Sequence, residues 1–342
     1  MKALLKTAHG IGNIEVGNIA EPSCIKPKDV KIKIAFCGIC GTDIHIKNEE
    51  YTSNPPVILG HEFCGTVIEI GDQVTKYKIG DKVTAENVCI HCDECYACRT
   101  GHESICLNRG SQGYTINGGF TEYIVCEEKN IYKLPENISL EEGALFEPLV
   151  CATHAVLDQT QIIPGDLVLI SGPGPMGLLA SQLALAAGGR VILAGTSHDT
   201  ERFEVAKKFG VKTTVDVTKE DLKKVVMNLS NEYGVDVFLE CSGSLKSVES
   251  GLDLLKKRGQ YTQIGLFGRE IQFNPDPIVL KEIKICGSMS HSYTGWVKSL
   301  QLVKEGKINL KPLISSIYKI DDWEKGFDDF ETKKGLKILL TP

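Results

Sequence analysis

The sequence has no excess of positive charge, because 38 Lys and Arg residues stand against 44 Asp and Glu residues, a net charge of −6. A nucleic-acid-binding protein normally carries a basic surface that replaces the counterions of the phosphates, so the composition argues against that class. Internal repeats and low-complexity segments are absent as well. At about 150 residues per domain, the 342 residues predict two globular domains.

No segment typical of secretion or membrane insertion is visible. Residues 1–11 carry Lys2, Lys6 and His9 around two consecutive leucines, an apolar stretch too short for a signal peptide. The uncharged run 167–189 is interrupted by glycines and prolines that would break a spanning helix. We interpret this run as a buried strand, a tight turn and a buried helix. We therefore expect a cytoplasmic protein that does not associate with membranes.

The 13 cysteines are an odd number, and five of them lie between Cys89 and Cys106, which is typical of metal binding and not of a disulfide scaffold. The last four of these five are separated by two, two and seven residues. Four thiolates with no open position are typical of a structural zinc ion, with an iron–sulfur cluster as the alternative. Cys89 continues the same three-residue spacing, so a ligand set that includes it is an alternative. The predicted zinc ligands are Cys92, Cys95, Cys98 and Cys106.

The first part of the chain is rich in predicted short strands, at Val30–Phe36, Cys64–Ile70 and Lys82–Val88. From about Val150 apolar strands alternate with helical segments, which predicts βαβ units and a parallel sheet. Further short strands and an acidic helix near Asp321–Glu331 follow. The predicted strands of the parallel sheet are Leu167–Ser171, Arg190–Gly195, Lys212–Asp216, Val235–Glu240 and Gln260–Gly265.

A G-x-G-x-x-G run follows the first strand of the predicted parallel sheet and opens a helix, the context that dinucleotide binding requires. Gly172 permits the tight turn, Gly174 permits close approach of the backbone to a pyrophosphate, and Gly177 permits contact between helix and strand. Free N–H groups at the helix N-terminus would meet the phosphates. Pro175 and Met176 complete this predicted cofactor-binding turn. A purely structural turn is the alternative.

The second strand of the predicted parallel sheet ends in Gly195, Thr196 and Ser197, with no acidic side chain at its tip. An Asp or Glu there would bind the ribose 2′-hydroxyl of NAD and repel the 2′-phosphate of NADP. Thr196, Ser197, and either Arg202 or His198, can donate hydrogen bonds to that phosphate. We therefore expect NADP(H) as the preferred cofactor. Asp199 is close enough in sequence to leave NAD as the alternative.

A second set of metal-ligand residue types occurs in a C-G-T-D-I-H run that begins at Cys40 and in a G-H-E run that begins at Gly60. Cysteine, histidine and carboxylate side chains bind zinc, and a site with an open fourth position would be catalytic. Taken alone, such residues are more often surface or capping features.

The G-H-E-x2-G-x5-G-x2-V pattern at Gly60–Val74 resembles the signature of zinc-containing alcohol dehydrogenases of the medium-chain dehydrogenase/reductase family. The C-G-T-D-I-H run, the four-cysteine loop and the glycine turn follow in that family's order over essentially the whole chain. The resemblance implies an α/β protein with a GroES-like, β-rich catalytic domain at 1–150, a Rossmann doubly wound parallel sheet at 151–285, and a C-terminal return to the catalytic domain at 286–342. It also implies a homo-oligomer, either a tetramer or a dimer.

Carried over residue by residue, the resemblance makes Cys40 and His61 ligands of a catalytic zinc ion. An F-E-P-L run around Glu147 resembles the sorbitol (polyol) dehydrogenase branch, in which a glutamate replaces a third thiolate. Glu62 completes the set, and the two glutamates trade places with water during turnover. With the four-cysteine site, this implies two zinc ions per chain. The thiols that compete for these positions are Cys37 and Cys151.

The resemblance further implies a proton path. A zinc ion lowers the pKa of an alcohol bound to it, which favours hydride transfer to a nicotinamide ring. Thr42 then takes the proton from the substrate oxygen, and His45 passes it towards solvent. Asp43 orients His61.

The substrate stays open among a polyol, a sugar phosphate and a secondary alcohol. Polyol dehydrogenases often have an aromatic residue where this chain has Ile46, and an arginine in the segment that resembles Ser288–Trp296, where this chain has His291. We expect a zinc-dependent, NAD(P)-linked dehydrogenase of polyols or secondary alcohols. An L-threonine 3-dehydrogenase-like enzyme is the alternative, although that branch tends to have Asp at the position of Glu147.

Overall fold

The structure, a computed structural model, describes residues 1–342. Two compact units make up the chain. Unit 1 comprises Met1–Pro148 and Leu310–Pro342, and unit 2 comprises Leu149–Asn309. The chain therefore enters unit 2 close to the predicted boundary at 150/151, but it returns to unit 1 later than residue 286.

The regular elements follow the apolar patterning of the sequence. The strands are β1 (Lys2–Lys6), β2 (Ile14–Asn18), β3 (Asp29–Gly38), β4 (Val57–Ile58), β5 (Glu62–Ile70), β6 (Lys82–Ala85), β7 (Val88–Ile90), β8 (Gly110–Ser111), β9 (Tyr123–Glu127), β10 (Ile131–Lys133), β11 (Leu167–Ser171), β12 (Arg190–Gly195), β13 (Thr213–Asp216), β14 (Val235–Glu240), β15 (Leu255–Gln263), β16 (Lys284–Gly287), β17 (Ile314–Lys319) and β18 (Lys337–Thr341). The α-helices are α1 (Gly41–Lys47), α2 (Tyr96–Arg99), α3 (Leu140–Gly143), α4 (Phe146–Thr153), α5 (Pro175–Ala186), α6 (Thr200–Lys208), α7 (Leu222–Ser230), α8 (Leu245–Leu254), α9 (Asp276–Leu280), α10 (Tyr293–Lys304) and α11 (Trp323–Glu331).

Unit 1 is built around a sheet in which β10, β6, β5, β3, β18 and β17 are neighbours and β9 also pairs with β3. The C-terminal strand β18 pairs antiparallel with β3, with Leu339 opposite Gly38 and Leu340 opposite Cys37. A buried apolar cluster that includes Val30, Ile32 and Phe63 forms the core of this unit. The end of the chain therefore lies against the strand that leads into Cys40.

Unit 2 contains a six-stranded, all-parallel sheet in the order β13-β12-β11-β14-β15-β16. All five residues of β11 are buried, as expected for a strand covered on both faces. This order is that of the Rossmann fold, which binds its ligand at the carboxyl ends of the strands where the strand order reverses. That place lies beside the carboxyl ends of β11 and β14.

The second domain boundary differs from the predicted one because β16 and α10 belong to unit 2. Strand β16 extends the parallel sheet by pairing with β15. The hydroxyl of Ser299, on α10, lies 2.8 Å from that of Thr153. The backbone N–H of Asn309 donates to the side-chain oxygen of Gln182 at 2.7 Å. These contacts hold residues 286–309 within unit 2.

None of the helices combines the length with the apolar composition needed to cross a bilayer.

Candidate metal and cofactor sites

Three side chains of the predicted catalytic set meet in unit 1. Cys40 directly precedes α1, His61 directly precedes β5, and Glu62 begins β5. Their ligand atoms lie within 4.8 Å of one another, and His61 and Glu62 are almost fully buried. The turn before His61 requires Gly60, because its φ is 84° and a Cβ there would collide with Phe120.

Asp43 ties together the two segments that carry these residues. One carboxylate oxygen accepts the backbone N–H of Cys40 at 2.9 Å, and the other accepts that of Gly60 at 3.3 Å. Its separation from His61 Nδ1 is 4.0 Å, too long for a hydrogen bond. Asp43 therefore fixes the backbone of both segments, and its expected role in orienting His61 stays a prediction.

The residues fit a zinc ion. The Nδ1 atom of His61 is buried and has no hydrogen-bond partner. Burial lowers the pKa of His61, but the negative charges of Cys40, Asp43 and Glu147 outweigh it and raise the pKa well above its usual value. A buried site with this negative surplus favours a cation, and a thiolate, an imidazole and a carboxylate are ligands that zinc prefers.

Lys337 is a buried residue of this site that the sequence-based interpretation missed. Its ammonium group forms an ion pair with the Glu62 carboxylate and donates a hydrogen bond to the backbone oxygen of Ile39 at 3.1 Å. Both side chains of the ion pair are at most 4% exposed. No local pattern around position 337 signals this role, because the pair forms only when β18 inserts beside β3.

The remaining candidates for the catalytic set are placed as follows. Glu147 lies in the first turn of α4 and outside the three-residue group, yet its charge raises the pKa values of both His61 and Lys337. Cys37 is buried, burial raises the pKa of its thiol, and neither it nor Cys151 belongs to the group.

The two predicted proton-transfer residues lie on α1. The hydroxyl oxygen of Thr42 is 3.8 Å from Cys40 Sγ. The His45 side chain is 44% exposed, and its Nδ1 lies 2.7 Å from a carboxylate oxygen of Glu50. The helix therefore carries a hydroxyl next to the metal-ligand group and an imidazole that reaches solvent.

The four-cysteine loop forms a second metal-ligand group, made of the four predicted residues. Neighbouring sulfur atoms are 3.5 to 3.9 Å apart. Backbone N–H groups of Cys98 and Leu107 lower the pKa of Cys95 to about 6, which favours the thiolate that a metal requires. Cys89 lies on β7 outside the group. The four thiols are Cys92, Cys95, Cys98 and Cys106.

The glycine run of unit 2 lies between β11 and α5. Gly172 has a φ of 87°, and a Cβ at Gly177 would collide with the backbone oxygen of Gly172. Around Gly174, at the N-terminus of α5, a Cβ would meet nothing within 4 Å, so space is open for a ligand next to the backbone. Pro175 and Met176 form the first turn of α5, whose N–H groups are suited to bind phosphate.

A buried glutamate organises the neighbouring loop, and sequence reasoning missed it. Glu240 ends β14 and accepts hydrogen bonds from the Ser171 hydroxyl and from the backbone N–H groups of Ser242 and Gly243. A Cβ at Gly172 would touch Ser242, so this loop directly adjoins the glycine turn. An acidic residue at the carboxyl end of a predicted strand was the available signal.

At the tip of β12 the predicted phosphate-binding side chains interact with two carboxylates. Asp199 accepts hydrogen bonds from the backbone and hydroxyl of Thr196 and forms an ion pair with Arg202 at 3.2 Å. Ser197 donates to Asp216 at 2.7 Å. Hydrogen bonds from Thr218 and Ser197 lower the pKa of Asp216. The charge of Asp199 is therefore balanced by Arg202, and Thr196, Ser197 and Arg202 each already interact with a carboxylate.

A nucleotide-binding parallel sheet and a buried, incomplete metal-ligand group in one chain define the class of metal-dependent dehydrogenases. Residues 26–136 match the family described as alcohol dehydrogenase GroES-like domain, and residues 175–305 match the family described as zinc-binding dehydrogenase. The chain belongs to the zinc-containing medium-chain dehydrogenase/reductase family. It is an NAD(P)-linked alcohol dehydrogenase with the predicted GroES-like and Rossmann folds.

Named relatives cover nearly the whole chain. The sorbitol dehydrogenase of Halalkalibacterium halodurans is 41% identical, over 100% of this chain and 99% of that protein. The D-arabitol-phosphate dehydrogenase of Enterococcus avium is 37% identical, over 99% and 97%. The L-threonine 3-dehydrogenase of Pyrococcus horikoshii is 38% identical, over 99% and 98%. A solved zinc-binding dehydrogenase from Sinorhizobium meliloti, bound to NADP, is 32% identical with a TM-score of 0.91, over 100% and 99%.

Proposed function

We propose that this enzyme oxidises one hydroxyl group of a polyol or a small secondary alcohol to a ketone, with NAD(P)⁺ as the hydride acceptor, and catalyses the reverse reduction. The buried Cys40–His61–Glu62 group beside the Thr42 hydroxyl carries the proposal. Relatives named for sorbitol and D-arabitol phosphate support a polyol. A hydroxyl next to a zinc-type site is suited to proton removal from an alcohol.

Cys40 and His61 would hold the catalytic zinc, with Glu62 and Glu147 as carboxylates that alternate with water. When bound, zinc polarises the substrate oxygen and lowers the pKa of the alcohol. The Thr42 hydroxyl would accept the proton of the substrate hydroxyl while it donates its own proton onward, and His45 would pass a proton to solvent. Glu62 has a second cationic partner in Lys337, which supports its role as the ligand that leaves and returns.

The four-cysteine loop would hold a second zinc ion, which gives two per chain. Four thiolates would occupy all of its coordination positions, so it would supply no open site for a substrate. It would stabilise the conformation of the loop between β7 and β8.

We propose the following test of the reaction. Zinc-loaded protein is assayed for nicotinamide reduction with sorbitol, D-arabitol, 2,3-butanediol and L-threonine. We expect turnover with a polyol or secondary alcohol, its loss when a chelator removes the catalytic zinc, and its return when zinc is added back. Binding of reduced nicotinamide cofactor, followed by its fluorescence, should persist throughout. Turnover by demonstrably zinc-free protein would contradict the mechanism.

The alternative function is that of an L-threonine 3-dehydrogenase, which the 38% identical relative favours. L-threonine 3-dehydrogenases tend to have Asp at the position of Glu147, so this residue favours a polyol dehydrogenase. Activity with L-threonine alone in the same assay would decide for the alternative.

For the cofactor we propose a preference for NADP(H). No carboxylate occupies positions 195–197, and the charge of Asp199 is balanced by Arg202. The NADP-bound relative supports this preference. We expect Arg202→Ala to lower kcat/KM for NADP⁺ about 10-fold, because one hydrogen bond between charged groups is lost, with a smaller change for NAD⁺. Lys207→Ala, an exposed lysine on the same helix, is the control; a wild-type preference for NAD⁺ would contradict the assignment.

We also propose a cytoplasmic homo-oligomer, a dimer or a tetramer. All 13 cysteines are free thiols, which suits a reducing compartment. Strand β16 ends the parallel sheet with its outer edge unpaired, and Ile285 on it is exposed, as are Val279 and Leu280 on α9. Such an apolar sheet edge is suited to pairing with a second copy.

A further inference from the structure

Arg109 is a cation of unit 1 without an anionic partner. It lies between the four-cysteine loop and β8. One guanidinium nitrogen donates to the backbone oxygen of Ser104 at 2.9 Å, and the other donates to the Tyr51 hydroxyl at 3.2 Å. No carboxylate forms an ion pair with it. An arginine has five N–H donors, so three of them stay available for a ligand.

Two aromatic rings connect this arginine to the metal-ligand group. The Tyr114 ring packs edge-on against the imidazole of His61, with centroids 5.8 Å apart. The Tyr51 ring packs edge-on against Tyr114, with centroids 5.6 Å apart. The Tyr51 hydroxyl then accepts the hydrogen bond from Arg109. The cation is therefore held in place through two aromatic rings, the second of which packs against the candidate zinc ligand His61.

The charges that act on Tyr114 agree with the position of Arg109 near the metal-ligand group. Burial raises the pKa of Tyr114, the charge of Glu147 raises it further, and the charge of Arg109 opposes both. The Tyr114 phenol therefore lies close enough to Glu147, a candidate zinc ligand, and to Arg109 for both charges to affect its pKa. A half-buried guanidinium that no carboxylate neutralises favours an incoming anion.

We propose that Arg109 binds the phosphate group of a phosphorylated polyol whose distant hydroxyl group is oxidised at the Cys40–His61 group. This inference rests on the proposed function and narrows its substrate class. A guanidinium matches the geometry of a phosphate by donating two parallel hydrogen bonds.

The spacing favours phosphate over the carboxylate of an amino acid. Three bonds of an extended chain span about 3.5 Å, so five bonds place the phosphorus of a pentitol phosphate about 6 Å from the oxidised carbon. The carboxylate of L-threonine lies only two bonds from that carbon, which keeps it beside the metal-ligand group. Two aromatic rings lie between His61 and Arg109, so of these two molecules the phosphorylated polyol, which is the longer, is the better suited to reach from the metal-ligand group towards the arginine.

The test compares sorbitol with sorbitol 6-phosphate on the zinc-loaded enzyme. Affinity is measured by isothermal titration calorimetry, and kcat/KM by nicotinamide reduction. We expect the phosphate to improve both about 10- to 100-fold in the wild type, the value of hydrogen bonds between charged groups. Arg109→Met should remove this advantage, and Arg109→Lys should keep part of it.

The control is Arg99→Met, because Arg99 is an exposed arginine on α2 of the same loop. It should keep the full preference for the phosphorylated polyol. Zinc content and circular dichroism verify that the Arg109 variants are folded, since the bond to Ser104 also holds the loop.

Several outcomes would overturn the assignment. Equal affinity of the wild type for sorbitol and sorbitol 6-phosphate would mean that Arg109 does not bind the substrate. An unchanged preference for the phosphate in Arg109→Met would mean the same. Binding of L-threonine that depends on Arg109 would mean that this residue binds a carboxylate and not a phosphate. Arg109-dependent phosphate binding without turnover of any alcohol would contradict the proposed function and leave the anion site in place.

Discussion

Replacement of Cys40 by alanine is expected to lower the zinc content from two ions per chain to one and kcat/KM by more than about 100-fold. Loss of residues that merely support metal ligands costs about 10- to 100-fold, so loss of a ligand should exceed that range. Zinc is measured by atomic absorption on dialysed protein, and turnover by nicotinamide reduction. The four-cysteine group is untouched, so its ion should remain.

Cys37→Ala is the matched control, because Cys37 is a buried cysteine of the preceding strand that lies outside the metal-ligand group. It should keep both zinc ions and most of the activity. If the two variants bind the same amount of zinc, Cys40 is not a ligand. If Cys37→Ala alone loses zinc, the ligand register proposed for this run is wrong.

Lys337→Met should destabilise unit 1 by about 3–5 kcal/mol, because it leaves the buried Glu62 carboxylate without its cation. Breaking one partner of a buried ion pair is costly, whereas replacing both is often nearly neutral. We therefore expect the double variant Glu62→Gln/Lys337→Met to regain most of the loss. Urea unfolding of metal-free protein, followed by the fluorescence of Trp323 in a Trp296→Phe background, measures the free energy of unfolding of unit 1.

The control for this prediction is Lys2→Met, which breaks an ion pair with Asp321 whose side chains are both about half exposed. Exposed pairs contribute at most about 1 kcal/mol, so the effect should be small. Equal destabilisation by Lys2→Met and Lys337→Met would mean that the Glu62 pair contributes no more than a surface contact.

Local patterning predicted the parallel sheet well, because its strands are continuous apolar runs. The bounds of Leu167–Ser171, Arg190–Gly195 and Val235–Glu240 agree with β11, β12 and β14. The strand predicted at Lys82–Val88 is divided instead into β6 and β7. The pairing partner changes there from β5 and β10 to β8, and a single-strand pattern contains no information about partners.

The residues of the candidate site likewise fall into those that the sequence predicts and those that it does not. Cys40, His61 and Glu62 were recognisable through their family resemblance, because each lies in a short run of fixed spacing. The capping box formed by Thr196 and Asp199 was not predicted, although a Thr three residues before an acidic residue at the start of a helix is a recognised signal for it. Lys337 and Arg109 were not recognisable, because their contacts depend on which strands and rings the tertiary fold places beside them.

The position of β18 has a consequence for biosynthesis. Translation proceeds from the N-terminus, so the metal-ligand residues emerge well before β18, the strand that pairs with β3 in their sheet. A prematurely terminated polypeptide would retain Cys40, His61 and Glu62 but lack Lys337, and the buried carboxylate would have no counter-charge. We therefore expect unit 1 to reach its full stability only after β18 has been synthesised.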